Sequence, residues 1–258
     1  LGDPNYLEAA ERAAGFILAN MHDGRNNQLI RRYRDGEARH EAHLDDYAFI
    51  VQGLLDLYEA SFDVKWLTHA LEITRTQIAL FWDSQGGGFF DTAGKDPSVL
   101  VRMKEQYDGA EPTGNAIAVV NLVRLSQITN SHELREKANQ TIRAFGDVLQ
   151  KQPVVMPQMV AAYEFSTSHP KQIVIVGERG DVTTEAILKE VHSRFIPNKV
   201  LLLLDGDEVQ QQLAELNGFY SSLSAAGGKS TAYICENYLC RLPTSDPIVV
   251  AELLDKRE

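Results

Sequence analysis

The clearest structural signal in the sequence is Asp45-Asp46-Tyr47-Ala48-Phe49-Ile50-Val51-Gln52-Gly53-Leu54-Leu55-Asp56-Leu57-Tyr58. Its apolar residues recur every three or four positions, which is the spacing of an α-helix with one buried face. Two carboxylates stand at its start, where they complement the free N–H groups and the partial positive charge of a helix N-terminus. The segment therefore predicts a buried helix with an acidic cap.

Helices repeat along the first two thirds of the chain. The pattern Asp3-x-x-Tyr6-Leu7-x-x-Ala10 recurs as Asp63-x-x-Trp66-Leu67-x-x-Ala70 and, more loosely, as Ser131-x-x-Leu134-x-x-x-Ala138. The apolar segment Ala116–Val123 aligns in the same way with the helix that begins at Asp45. Each repeat is predicted to be a helical hairpin with an apolar inner helix and an amphipathic outer helix.

Two connections between these helices are long, Met21–His43 and Asp83–Pro112. Loops of that length in a compact domain are usually functional. Because alternate connections of a hairpin repeat emerge on one face, we expect both loops and the inner-helix N-termini at Asp45 and Thr113 to share that face. The fold class predicted is mainly α, with (α/α) toroid-type hairpins and an active-site mouth on the long-loop side.

The pattern changes at Lys171. Ile173–Val176 and Val200–Leu204 are apolar runs of strand length, and a helical segment, Thr183–Phe195, lies between them. This order predicts a parallel βαβ unit. A hairpin of Thr231–Cys235 with Tyr238–Leu242 and a helix from Asp246-Pro247 complete the pattern. We therefore expect a helical domain over residues 1–170 and a small α/β annex over 171–258.

The charge balance narrows the classes of partner. The chain has 36 Asp and Glu against 25 Lys and Arg, a net charge of −11, and no basic stripe. Such a surface repels the phosphate backbones of nucleic acids and anionic membranes. No apolar run approaches the ~20 residues needed to cross a bilayer. We expect neither nucleic acid nor membrane as a partner.

The sequence predicts no metal and no cofactor. His40-x-x-His43 is a candidate metal pair, but no third ligand is suitably spaced.

Cys235 and Cys240 are too few for a disulfide framework and indicate a reducing compartment. We expect them to be free thiols facing each other across a hairpin, and we expect a cytoplasmic protein.

Two acidic clusters are candidates for chemistry. Asp45 and Asp46 precede the best inner helix, and Asp108 and Glu111 precede another. Helix capping alone explains such residues, and a turn explains the Gly and Pro of the second cluster. Paired carboxylates at the mouth of a toroid are also what glycoside chemistry requires, since one protonates the leaving oxygen while another activates water or attacks the sugar. The catalytic candidates are Asp46, Asp108 and Glu111.

Other residues are candidates for holding a substrate. The segment Phe81–Asp91 combines three glycines with aromatic side chains that offer surfaces for stacking on sugar rings, although a turn whose aromatics cover the core is the alternative. An arginine in the first long loop would suit a sugar that carries a carboxylate or phosphate. The candidates for substrate binding are Asp45, Trp82, Asp83, Phe89, Lys104, Asn115 and Arg34.

Three motifs in this order resemble one family. They are Leu44-Asp45-Asp46-Tyr47-Ala48-Phe49, Phe81-Trp82-Asp83-Ser84-Gln85-Gly86-Gly87-Gly88-Phe89-Phe90 and Tyr107-Asp108-Gly109-Ala110-Glu111-Pro112-Thr113-Gly114-Asn115. Together with motifs of the annex, they are similar to the spermatogenesis-associated, thioredoxin-domain-containing protein family.

The resemblance implies that the chain is the C-terminal portion of a longer protein. The family begins with a thioredoxin-like domain, followed by a helical toroid akin to six-hairpin glycosidases and N-acylglucosamine epimerases. About half of the toroid would then be missing, together with the thioredoxin-like domain. We expect those portions of the same protein as partners. An exposed inner helix at Ala116–Val123 would make a homo-oligomer the alternative.

Two hypotheses of function follow. The first is a glycosidase-like or epimerase-like enzyme that acts on a sugar-like small molecule with paired carboxylates. The second is a non-catalytic module that binds a ligand or partner or serves as scaffold for a thioredoxin-like domain.

Overall fold

The computed structural model describes residues 3–94, 99–168, 170–236 and 239–256. It divides into two compact units. One comprises Leu1–Ser126 and Ser131–Ser166, and the other comprises Gln127–Asn130 and Thr167–Glu258. The first is built mainly of helices and the second of helices around one sheet, so the predicted fold class, helical hairpins followed by a small α/β annex, is confirmed.

The helical part carries seven helices in its described residues and one small sheet. The helices are α1 (Pro4–Asn20), α2 (Leu44–Ser61), α3 (Val64–Phe81), α4 (Gly114–Thr129), α5 (His132–Ala144), α6 (Gly146–Lys151) and α7 (Pro157–Thr167). The strands are β1 (His22–Asp23), β2 (Gln28–Arg34) and β3 (Glu37–Glu41).

Helices α2 and α3 form a tight hairpin, as the repeat predicts. Phe62 turns the chain in the left-handed region at φ 53°, and its N–H donates to Tyr58 O. Asp63 then accepts from the N–H of Lys65 and begins α3. Two residues of α3 named by the repeat, Trp66 and Leu67, are 4% and 0% exposed. A two-residue connection leaves the helices antiparallel and in contact.

Helices α2 and α4 lie side by side and run in the same direction. A Cβ on Gly114 would lie 2.9 Å from Leu44 Cγ and 3.1 Å from Asp45 N, so the two helices begin almost in contact. Further along, Asn121 Nδ2 donates to Ala48 O at 2.8 Å, and Arg124 pairs with Asp56. The expectation that the two inner-helix N-termini share one face is confirmed.

One expectation for the helical part is wrong. Ala116 and Leu122 of α4 are both 0% exposed, so this inner helix is not open to solvent. The first long loop contains the sheet β1-β2-β3, whose hairpin turns at Asp35 and Gly36, both at positive φ. This is the Asp-Gly turn that two-residue hairpins prefer. The chain leaves helical geometry at the buried Phe145, which separates α5 from α6.

The α/β unit has one four-stranded sheet in its described residues. Its strands are β4 (Lys171–Val176), β5 (Lys199–Leu204), β6 (Thr231–Glu236) and β7 (Leu239–Cys240), in the order β5-β4-β6-β7. Its helices are α8 (Val182–His192), α9 (Gly206–Leu216) and α10 (Pro247–Asp255). β4 and β5 are parallel with α8 between them, which confirms the βαβ unit. Helix α9 was not predicted.

The expected free thiols are wrong. Strand register places Cys235 directly opposite Cys240, with 3.9 Å between their Cα atoms, and the two form a disulfide. Cys235 is buried and Cys240 is exposed, so the pair lies at the border of the core. Of the predicted hairpin, Asn237 and Tyr238 lie outside the described residues.

We predict that Gly114→Ala destabilises the protein by about 1–3 kcal/mol, because the added methyl group overpacks the contact between α4 and the start of α2. Gly53→Ala is the matched control. Gly53 lies inside α2, and apart from neighbouring residues and the backbone of its own helix no atom would lie within 4 Å of an added Cβ. Gly53→Ala should therefore stabilise the protein by about 0.5–1 kcal/mol. Urea unfolding measures both changes, and a Gly114→Ala variant as stable as the parent would contradict the close approach.

Candidate active site

An arginine of β2 connects the two carboxylates at the start of α2. Arg31 Nη1 lies 3.1 Å from Asp45 Oδ1 and 2.7 Å from Asp46 Oδ2. The strand is held in place next to α2 because the N–H of Leu29 donates to the buried Tyr47 hydroxyl at 2.9 Å. The hydrogen bond to Asp45 raises the pKa of Arg31, which therefore stays charged.

Asp46 combines a capping role with an unusual environment. Its Oδ2 accepts from the N–H of His43 at 2.8 Å, so the side chain caps its own helix. Burial raises the pKa of Asp46, and the charge of Asp45 acts in the same direction, whereas the His43 N–H and Arg31 oppose the shift. A half-buried carboxyl with a raised pKa is suited to holding and donating a proton.

Two cavities lie beside the carboxylates at the start of α2. We call the first, with a volume of about 320 Å³, the α1 cavity, and the second, with a volume of about 570 Å³, the loop cavity. Asp45 and Glu111 line both of them. The other residues lining the α1 cavity are Ile17, Met21, Leu29, Ile30, Arg31, Asp46, Phe49 and Ile50. Those lining the loop cavity are His43, Asp91, Glu105, Tyr107, Gly109, Ala110, Pro112, Thr113 and Gly114.

Two carboxylates that line the loop cavity, Asp91 and Glu105, were not among the site residues predicted from the sequence. The backbone of Asp91 joins two segments, since Leu44 N donates to Asp91 O and Asp91 N donates to Met103 O. Burial raises the pKa of Asp91, and the charges of Glu105 and Asp45 add to the rise. Asp91 is the last residue of the glycine-rich segment Phe81–Asp91, so the sequence shows that it follows this turn. The sequence does not show that its side chain is buried.

Asp108 has a different role from the one expected. Its Oδ1 accepts from the N–H of Thr113 at 2.7 Å, and its Oδ2 accepts from the N–H of Gln158 at 2.9 Å. One carboxylate therefore satisfies free N–H groups at the starts of both α4 and α7. It lines neither cavity. Because each oxygen accepts from a backbone N–H and the residue lines neither cavity, we assign Asp108 a capping role in place of the expected catalytic one.

Asp83 and Lys104 stabilise a turn. Lys104 Nζ lies 2.7 Å from Asp83 Oδ2 and also donates to Gly87 O. Asp83 Oδ1 accepts from the N–H groups of Gln85 and Gly86. These contacts, led by the Lys104 hydrogen bond, lower the pKa of Asp83 to about 2. Neither side chain lines the α1 cavity or the loop cavity, so their expected contact with substrate is corrected to a structural ion pair.

The aromatic wall expected from Trp82 and Phe89 is also corrected. Phe89 is 0% exposed, and its ring lies edge-on to Trp82 at 5.1 Å between centroids. Lys137 covers the Trp82 ring at 4.3 Å. Asn115, also fully buried, donates to Phe89 O and accepts from Phe89 N. Phe89 and Asn115 therefore hold the glycine-rich turn against α4 and are not available to a ligand, whereas the partly exposed Trp82 packs against Phe89 and Lys137.

The arginine prediction selected the wrong residue. Arg34 is 73% exposed in its side chain and pairs with the neighbouring Asp35. It lines neither cavity, whereas Arg31 lines the α1 cavity and contacts both carboxylates.

Of the candidate metal pair, His40 lies outside both cavities and only His43 lines one of them. Within the described ranges, no three His, Cys, Asp or Glu side chains are grouped closely enough to hold a metal ion.

The helical hairpins and this acidic cleft define a class: a helical-hairpin protein whose parallel inner helices present carboxylates to adjoining cavities. No known family profile matches the chain. Its sequence is 39% identical to human (Homo sapiens) spermatogenesis-associated protein 20 over 263 residues and 42% identical to the mouse (Mus musculus) protein of that name. The expected resemblance is thus confirmed: the chain is homologous to this family over 98% of its length.

The chain spans about a third of the length of these relatives, 33% in both cases. A cellobiose 2-epimerase from Spirochaeta thermophila is similar in structure, with 21% sequence identity and a TM-score of 0.43 over 58% of this chain and 38% of that one.

In the part of the chain that the structure describes, no helix is both long and apolar enough to span a membrane.

We predict that Arg31→Met raises the pKa of Asp46 further, because it removes a positive charge that favours the ionised form. Carboxyl-carbon NMR across a pH titration measures this pKa directly. Arg34→Met, in the same strand, is the matched control and should leave the pKa unchanged. Equal pKa values in the parent and Arg31→Met proteins would contradict the pairing.

Proposed function

We propose that the helical unit binds a sugar-like, polyhydroxylated small molecule where the α1 and loop cavities meet, and that it acts on this molecule as a glycosidase-like or epimerase-like enzyme. The observation that carries the proposal is Asp46. It is half-buried, its pKa is raised by burial, and it stands beside an Arg31-paired Asp45 in a cavity that Glu111 also lines.

The electrostatics of the cleft suit acid–base chemistry. Asp46 and Asp91 have pKa values raised by burial, so each is able to hold a proton at a pH where exposed carboxyls have lost theirs. Glu111 is exposed and faces both cavities. Carboxylates of differing environment in one cleft are the means by which an enzyme separates an acid from a base.

Two reactions fit these groups. In glycoside hydrolysis, Asp46 would donate its proton to the leaving oxygen while Glu111 takes a proton from the attacking water. In epimerisation, a carboxylate would remove the proton from a carbon next to a carbonyl, and a protonated carboxyl would return one to the opposite face. In both, Arg31 would act as a positioning residue through Asp45 and Asp46.

The size and lining of the cavities support a small polar ligand. Volumes of about 320 and 570 Å³ are in the range of small-molecule sites. Carboxylate oxygens accept hydrogen bonds from sugar hydroxyls, and the exposed ring of Tyr107 offers an apolar surface beside them. Ile17, Phe49 and Ile50 supply the apolar wall of the α1 cavity.

A second candidate function is a non-catalytic module that binds a ligand or serves as scaffold for a thioredoxin-like domain of the same protein. One observation favours it: Asp46 caps α2, and both oxygens of Asp108 cap helices. Carboxylates used in this way stabilise the fold whether or not a substrate binds.

Thermal unfolding with a panel of mono- and disaccharides tests the proposal. We predict that at least one sugar raises the Tm of the parent protein and that Asp46→Asn and Glu111→Gln abolish this shift. Asp147→Asn and Glu133→Gln replace exposed carboxylates of α6 and α5, and these matched controls should retain it. Asp46→Asn keeps an oxygen that can accept from the His43 N–H, so it should cost less stability than the ~0.5–2 kcal/mol that replacing a capping residue by Ala costs.

Turnover of the stabilising sugar then separates the two functions. An enzyme should release a reducing sugar or change the sugar's NMR spectrum, and Asp46→Asn should stop it. A sugar that stabilises the parent and the two site variants equally would contradict the site. Binding without turnover would leave the non-catalytic module as the function.

We include a cytoplasmic location in this proposal, although the Cys235–Cys240 disulfide of the structure is a bond that a reducing compartment disfavours, and the redox state of this pair in cells is therefore its test. A reducing compartment should keep these thiols reduced. Rapid alkylation of lysed cells, followed by mass spectrometry, measures their state in vivo. An intact disulfide in that sample would contradict the location.

A further inference from the structure

Helix α1 differs from the other long helices of its unit because it contains no buried residue. Tyr6 is 65% exposed, and Ala10 and Ala13 are exposed as well. Helical spacing places these residues on one side of α1, together with Leu7, Ala14 and Ile17. We call the set Tyr6, Leu7, Ala10, Ala13, Ala14 and Ile17 the α1 stripe.

The internal repeat shows what such a stripe does elsewhere in the chain. In α3, the residues equivalent to Tyr6, Ala10 and Ala13 are Trp66, Ala70 and Ile73, which are 4%, 0% and 0% exposed. Helix α3 packs against α2, the inner helix that precedes it, and these three positions are buried in the folded unit. In α5, which follows the inner helix α4, the repeat residue Ala138 is likewise 0% exposed.

Helix α1 begins in the same way as these outer helices. Asp3 accepts from the N–H of Asn5, as Asp63 accepts from the N–H of Lys65, each two residues along. The same cap and the same apolar positions are present, but the described residues contain no inner helix before α1. The exposed stripe therefore corresponds to positions that are buried in the other two outer helices.

We propose that the α1 stripe is the docking surface for an α-helix that immediately precedes Asp3 in a longer polypeptide. Two further observations select this occupant. Two thirds of the length of the human and mouse relatives lies outside their match to this chain. Helix α1 starts at Pro4, so a preceding segment would be tethered beside the stripe, as two residues tether α3 to α2. A short tether gives a high effective concentration.

Docking there would also affect the α1 cavity. Ile17 belongs to the stripe and lines that cavity, and Met21 follows at its edge. A helix packed on the stripe would therefore form an additional wall beside Arg31, Asp45 and Asp46. The inference does not depend on the proposed chemistry, because it rests on the burial pattern of α1.

Cysteine labelling tests this docking with a matched pair of substitutions. Ala10→Cys places a thiol in the stripe, and Ala19→Cys places one on the opposite, exposed side of the same helix. Both variants are made in the 258-residue chain and in the polypeptide extended upstream by its natural sequence to the length of the relatives. Maleimide labelling is read at the α1 peptide by mass spectrometry, with the unsubstituted chain as blank.

The proposal predicts that the two introduced thiols react equally fast in the short chain. In the extended polypeptide, where the stripe is covered, the thiol of the Ala10→Cys variant should react at least about tenfold more slowly than that of the Ala19→Cys variant. Slower hydrogen exchange of α1 amides in the unsubstituted extended protein checks the result without any substitution.

Two outcomes would overturn the proposal. One is equal labelling of the two variants in the extended polypeptide. The other is concentration-dependent protection of the Ala10→Cys thiol in the short chain together with a dimer in light scattering, which would assign the stripe to a second copy of this chain.

Discussion

The helical unit depends on the close approach of two helix N-termini. Gly114 at the start of α4 lies against Leu44 and Asp45 at the start of α2, at a distance that leaves no room for a side chain. The two helices then run in parallel, held by Asn121 and Arg124. Parallel N-termini bring partial positive charges and free N–H groups together. The partial positive charges and free N–H groups concentrated there stabilise carboxylates, which explains why several carboxylates lie at this end of the unit.

The carboxylates divide between two tasks. Asp108 gives both oxygens to backbone donors of two helices, so it stabilises the fold. Asp45 and Glu111 line the cavities, and Asp46 does both, since it caps α2 and also faces the α1 cavity. The need for acidic caps and the presence of an acidic cleft have one physical origin. An acidic helix start is therefore weak evidence for catalysis, and the cavity it faces is the stronger evidence.

Much of this arrangement could be predicted from the sequence because it depends on local patterns. The spacing of Tyr47, Val51 and Leu54 defines α2, and its repetition around Ala116 predicts the parallel inner helix. The βαβ unit follows from two apolar runs with a helix between them. Asp45, Asp46 and Glu111 were identified because they precede these helices.

The corrections depend on contacts between residues distant in sequence or on strand geometry. Asp108 caps α7 through Gln158, fifty residues along the chain, and no local pattern reveals that bond. Arg31 and Arg34 are three residues apart, so in β2 they point to opposite faces, and choosing between them requires recognising the strand. Cys235 and Cys240 pair because β6 and β7 set their register.

The most direct test of this ligand site is amide chemical-shift mapping of the unsubstituted chain during titration with each sugar of the panel. We predict that the largest shifts fall on the backbone amides of Asp45, Glu111 and Gly114, where the two helix starts lie close together beside the two cavities. Saturable shifts confined to another surface, or none at these residues with any sugar, would contradict the claim that this meeting point is the ligand site.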